Sequence, residues 1–278
     1  MRFLTNINNN NNNVNSNSSY DSSNLLIYKY TRSFNITFKK DIKFIQILFP
    51  SFTIFCVTFF FSLLLYLCFF CLEAFYFNRK NPLFIDEDVL KRFGLNRFYI
   101  SNNYQYYKLI TATLFHSSIW NLIINTYYLM NIGIVVEKSY GKVQYIMIML
   151  LSTLCGHLLM LATSPCADVH MGITAILSGF MGLFLQEVVT NYKQLTDKWD
   201  VIGSFIFAVL SLYLTISMFA YNGNFVGNIG GIFGGFSYPY IFNKESFNGP
   251  QKNVKITFVT LTLLLIIGTF ISLIFVKC

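Results

Sequence analysis

Ionisable side chains are scarce in this 278-residue chain. Asp, Glu, Lys and Arg together make up 12% of it, and histidine occurs only three times. A soluble globular domain carries about 25% charged residues, so that class is excluded before any motif is read. Bases outnumber acids, 20 to 12, for a formal net charge of +8. They sit between apolar runs, however, not on one soluble face as a nucleic-acid footprint requires, and no nucleic-acid partner is expected. The six cysteines show no metal-ligand pattern: Cys56, Cys68, Cys71 and Cys155 lie in apolar runs, Cys166 in a short connection and Cys278 at the last position. They read as small apolar residues, and no cofactor or metal is expected.

What the chain has in excess is apolar and aromatic residues, 54% and 18%, with a mean hydropathy of +0.52. Seven apolar segments are each long enough to cross a hydrocarbon core of about 30 Å as a helix. They cover about 44–72, 119–136, 143–162, 170–189, 199–220, 225–242 and 254–276, so residues 44–278 form one all-α membrane domain whose first partner is the lipid bilayer. Residues 1–43 precede it: an Asn/Ser tract containing the run Asn8 to Asn13, read as disordered, then a basic flank. With the N-terminal side inside, 13 of the 20 Lys and Arg fall on inner segments, and most of the rest lie in one long loop that translocates regardless of charge. The bias predicts a cytoplasmic N-terminal side and a far-side C-terminal end. Pro50 is expected to mark a kink or the true start of span one. The 45-residue loop after that span is too long to be a mere connector and is expected to be functional or partly embedded.

Two glycine-rich stretches organise the bundle. Gly172-Ile-Thr-Ala-Ile-Leu-Ser-Gly179-Phe-Met-Gly182 places small residues at 172, 175, 179 and 182 on one helical face, and Gly227-Asn-Ile-Gly230-Gly231-Ile-Phe-Gly234-Gly235 holds two overlapping G-x-x-x-G patterns. In lipid such residues let backbones approach closely. The two stretches are expected to pack on each other, and each carries one polar residue at or beside the seam, Thr174 and Asn228.

These stretches resemble the rhomboid family of intramembrane serine proteases. Gly172, Gly179 and Gly182 match the frame of its G-x-S-G span, and Asn228-Ile-Gly230-Gly231 with Gly235 matches its A-H-x-G-G-x-x-x-G span. Phe115-His116, Asn121-Leu122, Asn125, Glu137, Tyr140 and Gly141 add further matches, so the likeness runs from about Tyr107 to Phe242. It implies the rhomboid fold, a six-span core here followed by a seventh span, with the long loop half-buried. It also implies roles: Thr174 stands at the nucleophile position, Asn228 at the general-base position, and Asn121 with Asn125 at the oxyanion position, where the family has His and Asn.

The departures fall on the chemistry. A threonine hydroxyl is weak at neutral pH without a base, and its methyl crowds attack. A carboxamide accepts no proton near pH 7, whereas an imidazole does. An amide still donates a hydrogen bond, so the oxyanion position is altered least. Ser178 is no substitute nucleophile, because shifting the motif there puts Ile176 where glycine is needed. Of the histidines, His157 within span three must find a hydrogen-bond partner, and His170 is expected at the outer interface, facing solvent or lipid. The hydroxyl and amide of Thr174 and Asn228 are expected to bond to each other across the seam.

By resemblance the chain is therefore an inactive relative that binds transmembrane segments of client proteins, in a secretory-pathway or plasma membrane. One alternative is an atypical intramembrane endopeptidase using Thr174; another is a structural or transport protein, which the scarcity of charge within the spans disfavours.

Overall fold

The computed structural model describes residues 49, 51, 53–76, 83–192, 198–219, 225–242, 252–275 and 278. The Asn/Ser tract, the basic flank, Pro50 and the expected start of span one lie outside them. The described chain is helical: α1 (Val57–Phe75), α2 (Glu87–Phe93), α3 (Arg97–Ser101), α4 (Lys108–Thr111), α5 (Ile119–Tyr128), α6 (Ile134–Tyr140), α7 (Lys142–Thr163), α8 (Thr174–Asn191), α9 (Lys198–Phe219), α10 (Phe225–Phe242) and α11 (Lys252–Phe275). Extended pairing among the described residues is limited to two isolated bridges, Phe84 with Ser118 and Leu95 with His170.

Five helical stretches are long and apolar enough to cross a membrane by themselves: α1, the α5–α6 rod Ile119–Tyr140, α7, α9 as far as Thr215, and α11. The glycine-rich α8 and α10, 18 residues each, are enclosed by them. The helices from Ile119 onward, the α5–α6 rod, α7, α8, α9, α10 and α11, lie within four residues of the segments marked out from sequence. The described helix of the first segment runs from Val57 to Phe75.

A buried carboxylate fixes that helix start. Glu137 of α6 accepts from the Val57 and Thr58 backbone N–H groups at 2.7 and 2.9 Å and from the Thr58 hydroxyl at 2.8 Å. The first N–H groups of a helix have no partner within it, and an anion there also meets the positive end of the helix dipole. Just before α6 a π-turn, Leu129–Gly133, adds a residue to the rod, and Gly133 leaves room for the Tyr145 hydroxyl and the Thr58 methyl.

α10 is the centre of the bundle. One set of its glycines meets α7: a methyl on Gly230 would lie 2.5 Å from the Cys155 carbonyl oxygen, one on Gly234 2.9 Å from that of Leu151, and one on Gly227 against Met160. The other set meets α8, Gly231 lying on the Ala175 backbone and Gly235 on that of Gly179, while Gly182 of α8 lies on the Ile232 carbonyl. The expectation that the two seams face each other is thus met by Gly231, Gly235, Gly179 and Gly182. Gly227, Gly230 and Gly234 serve the third span instead. Single hydroxyl contacts join other pairs: Tyr66 to Thr126 at 3.0 Å, Tyr128 to Thr215 at 3.2 Å, Thr190 to Tyr240 at 3.1 Å and Ser237 to Thr262 at 2.5 Å.

The long loop folds back onto this bundle, as its length suggested. Leu95, Ile100, Leu109 and Ala112 pack with Leu158, Leu161 and Leu273 from α7 and α11. Lys108, 2% exposed, lies over the Tyr99 ring at 4.3 Å, and desolvation lowers its pKa.

Backbone contact predicts a sharp contrast between glycines. Gly235→Ala is expected to destabilise the solubilised protein by about 2 kcal/mol or more, because neither backbone can yield without shifting a helix. Gly203→Ala on α9, where nothing lies within 4 Å of an added methyl, is expected to be neutral or slightly stabilising. Thermal unfolding midpoints of the two variants in one detergent check the difference.

Candidate functional site

Three segments meet at the start of α8. The connection from α7 runs along the long loop, where Leu95 and His170 exchange backbone hydrogen bonds at 2.8 and 2.9 Å, and the Gly172 N–H donates to the Ala112 carbonyl at 3.2 Å. Gly172 then turns with φ +102°, a left-handed conformation that favours glycine. It belongs to this turn and not to the helical seam in which the sequence pattern placed it, since α8 begins at Thr174. A side chain at 172 would point between His116 and Asn125, 3.6 Å from the His116 ring and 3.7 Å from the Asn125 amide nitrogen.

The second segment is the start of α5. Ser118 caps it, accepting from the Asn121 N–H at 3.2 Å. Asn121 and Asn125, one helical turn apart, are both buried, and the Asn125 amide donates to the Asn121 side-chain oxygen at 2.5 Å. The Asn121 amide reaches the Ser117 hydroxyl at 3.5 Å. The two residues read as oxyanion donors are therefore brought together and bonded to each other, while the Asn125 amide nitrogen also faces the Gly172 turn.

The third segment is the start of α10. Asn228, 8% exposed, precedes Gly231 by one helical turn on the same face, and Gly231 rests on Ala175, the residue after Thr174. The structure thus places both polar residues at the same end of the α8–α10 seam. No hydrogen bond joins them among the described residues, so the expected hydroxyl-to-amide bond across the seam is not made. Ser178 lies deeper on α8, buried within the bundle.

The histidines depart from their sequence reading in two places. His157 finds its partner, but in the long loop: its Nδ1 lies 2.7 Å from the Leu109 carbonyl. His170, 6% exposed, is buried in the Leu95 bridge and does not face solvent or lipid. His116, which the sequence pattern noted without assigning a role, is wholly buried beside the Gly172 turn, and neither ring nitrogen has a partner. Its position just before the α5 cap and four residues after Ala112 was the available signal. The cysteines hold the other surprise: Cys166 and Cys278 form a disulfide, although all six had read as small apolar residues.

Burial pushes the His116 imidazole from 6.5 down to about 3, so it is neutral in the folded protein, with one N–H and one lone pair. The unfolded chain takes up a proton at about pH 6.5 that the folded chain refuses until pH 3. The stability associated with this group is therefore complete above pH 6.5 and is lost as pH falls from there toward 3. Thermal midpoints measured across this window are expected to fall on acidification, with a shallower fall in His116→Asn; an identical slope in the variant would exclude His116 as the titrating group.

Comparison with known proteins agrees with this arrangement. The model of the rhomboid domain matches residues 103–245, which contain the Gly172 turn, the Asn121–Asn125 pair and Asn228. Rhomboid-like protease 1 of Toxoplasma gondii is 24% identical over 210 residues, 73% of this chain and 69% of the relative. RHOMBOID-like protein 6, mitochondrial, of Arabidopsis thaliana is 28% identical over 176 residues, 63% of this chain and 56% of the relative. Inactive RHOMBOID-like protein 8 of the same plant is 26% identical over 139 residues, 50% of this chain and 38% of the relative. The matches to the two plant relatives therefore span about half of their lengths or less. With more than half of its length in the domain match and the site residues inside that match, this helical membrane protein belongs to the rhomboid family.

Proposed function

We propose that the chain is a rhomboid pseudoprotease that holds transmembrane segments of client proteins within the bilayer. One observation carries the reading: asparagine stands at position 228, where the resemblance puts the general base, and an amide takes no proton near pH 7. Burial disfavours protonation of the His116 imidazole beside the Gly172 turn, lowering its pKa to about 3 and making it a weak base at pH 7. Without a base the Thr174 hydroxyl stays protonated, and loss of such a member typically lowers hydrolase rates by several orders of magnitude. A relative named as inactive shows that members without activity occur in the family.

The chain crosses the membrane seven times, a six-span core and a seventh span, with its N-terminal side cytoplasmic and the site toward the opposite face. The distribution of Lys and Arg supports this orientation. So does parity: Cys166 and Cys278 are joined, hence on one face, and four helices lie between them, α8 to α11.

A second reading, an atypical endopeptidase, is favoured by the position of Thr174 at the first turn of α8 and by the Asn125 amide that still faces the Gly172 turn. The transport reading has less support, since the bundle centre is backbone against backbone.

Cleavage of a labelled, helix-destabilised transmembrane reporter by the purified chain, beside the Thr174→Ser/Asn228→His double variant, tests the proposal. The wild type is expected to be silent and the double variant to cut. Cleavage by the wild type that Thr174→Ala abolishes would establish the endopeptidase instead.

A further inference from the structure

The Cys166–Cys278 bond, across a Cα separation of 5.9 Å, joins residues 112 apart, and both cysteines are exposed. The other four have no such bond: Cys56 and Cys155 are buried, while Cys68 and Cys71, although spaced C-x-x-C, lie unbonded on the apolar α1. Cys166 sits in the connection that delivers the Gly172 turn and Thr174. That connection is held from one side by the long loop. The Asn96 amide donates to the Cys166 and Asp168 carbonyls at 3.0 and 2.9 Å, Leu95 pairs with His170, and Gly172 bonds to Ala112. From the other side it is held by the disulfide, which ties it to the far end of α11. That end packs on the same long loop, through Leu273 in the cluster of Leu95 and Ile100 and through Phe270 against Tyr106 at 5.9 Å. Loop, connection and seventh helix thus form one closed ring whose only covalent clasp is exposed to solvent.

We propose that this disulfide is a thiol-exchange site on the membrane face that carries the candidate site, and that its opening by a dithiol reductant loosens the frame around Thr174. A bond of this kind forms and persists in an oxidising compartment, so this face is the luminal or extracellular one. Exposure is what makes a disulfide reachable by an attacking thiolate. One thiolate of the dithiol attacks a sulfur of the pair, forms a mixed disulfide and expels the other cysteine as its thiolate. The second thiol of the reagent, deprotonated in turn, attacks the mixed disulfide and releases the first cysteine. Two electrons pass to the protein, both cysteines finish as thiols with the dithiol's two protons, and the reagent leaves as its own disulfide. The bond and its opening stand independently of whether the site binds clients or cuts them.

The full chain, produced in a eukaryotic secretory membrane and reconstituted in lipid nanodiscs, gives the test. Alkylation with a polymer-linked maleimide after denaturation is expected to label four cysteines without reductant and six after dithiothreitol. Amide hydrogen exchange in nanodiscs is expected to rise roughly tenfold or more at His170 and Gly172 once the bond is opened, with little change in the α8–α10 seam. Cys166→Ser/Cys278→Ser is expected to exchange at the fast rate with or without reductant. Six labelled cysteines before reduction would overturn the proposal, and so would unchanged exchange at His170 and Gly172 after opening or in the double variant.

Discussion

The whole arrangement depends on backbone meeting backbone along α10. Lipid tails are as apolar as leucine, so two helices gain little in a bilayer by hiding side chains from their surroundings; they gain by close packing and by polar contacts across the gap. α10 achieves that packing on two faces at once, with Gly227, Gly230 and Gly234 against α7 and Gly231 and Gly235 against α8. Because the contact is made by main-chain atoms, it fixes the rotation and height of α8 against α10 to within a fraction of a turn. Thr174 and Asn228, near the N-terminal ends of these two helices, inherit their relative position from Gly231 resting on Ala175.

Everything else holds this three-helix centre from outside. Glu137 sets where α1 begins, and the π-turn at Leu129–Gly133 sets the register at which α6 delivers that carboxylate. The hydroxyl pairs that link spans one to two, two to five and six to seven contribute modestly, on the order of 1 kcal/mol each, yet their alternative is an unpaired hydroxyl in an apolar medium. The long loop and the disulfide close the outer end. Stability thus comes from the middle of the membrane, while the loop and connections that shape the site lie at its edge.

The helix pattern from Ile119 onward was legible because it follows from hydropathy and length, and those helices needed nothing from tertiary context. The start of α1 at Val57 was not, since the carboxylate that meets its first N–H groups, Glu137, lies 80 residues away in the chain. Spacing identified the glycines of α10, but i and i+4 repeats overlap there, and a single helix period does not say which set meets which neighbour. Gly172 fitted the helical frame by number although it serves a turn with positive φ. His170 read as interfacial because its pairing with Leu95 joins residues 75 apart in the chain, beyond the reach of any local pattern. Cys166 and Cys278 were each noticed, and the predicted topology already put them on one face; treating the cysteines one by one hid the pair.

The site separates what the fold requires from what the chemistry requires. The closest contacts of the seam are made by Gly231, Gly235, Gly179 and Gly182 on backbone atoms, and Thr174 lies at the helix edge, half-buried. The side chains of Thr174 and Asn228 take no part in the glycine contacts, the Asn121–Asn125 bond or the left-handed Gly172 turn. Beside them stand the Gly172 turn, the buried Asn121 and Asn125 amides and the buried His116 imidazole, at the edge of the three-helix centre whose register is set by backbone contact and not by any of these polar groups.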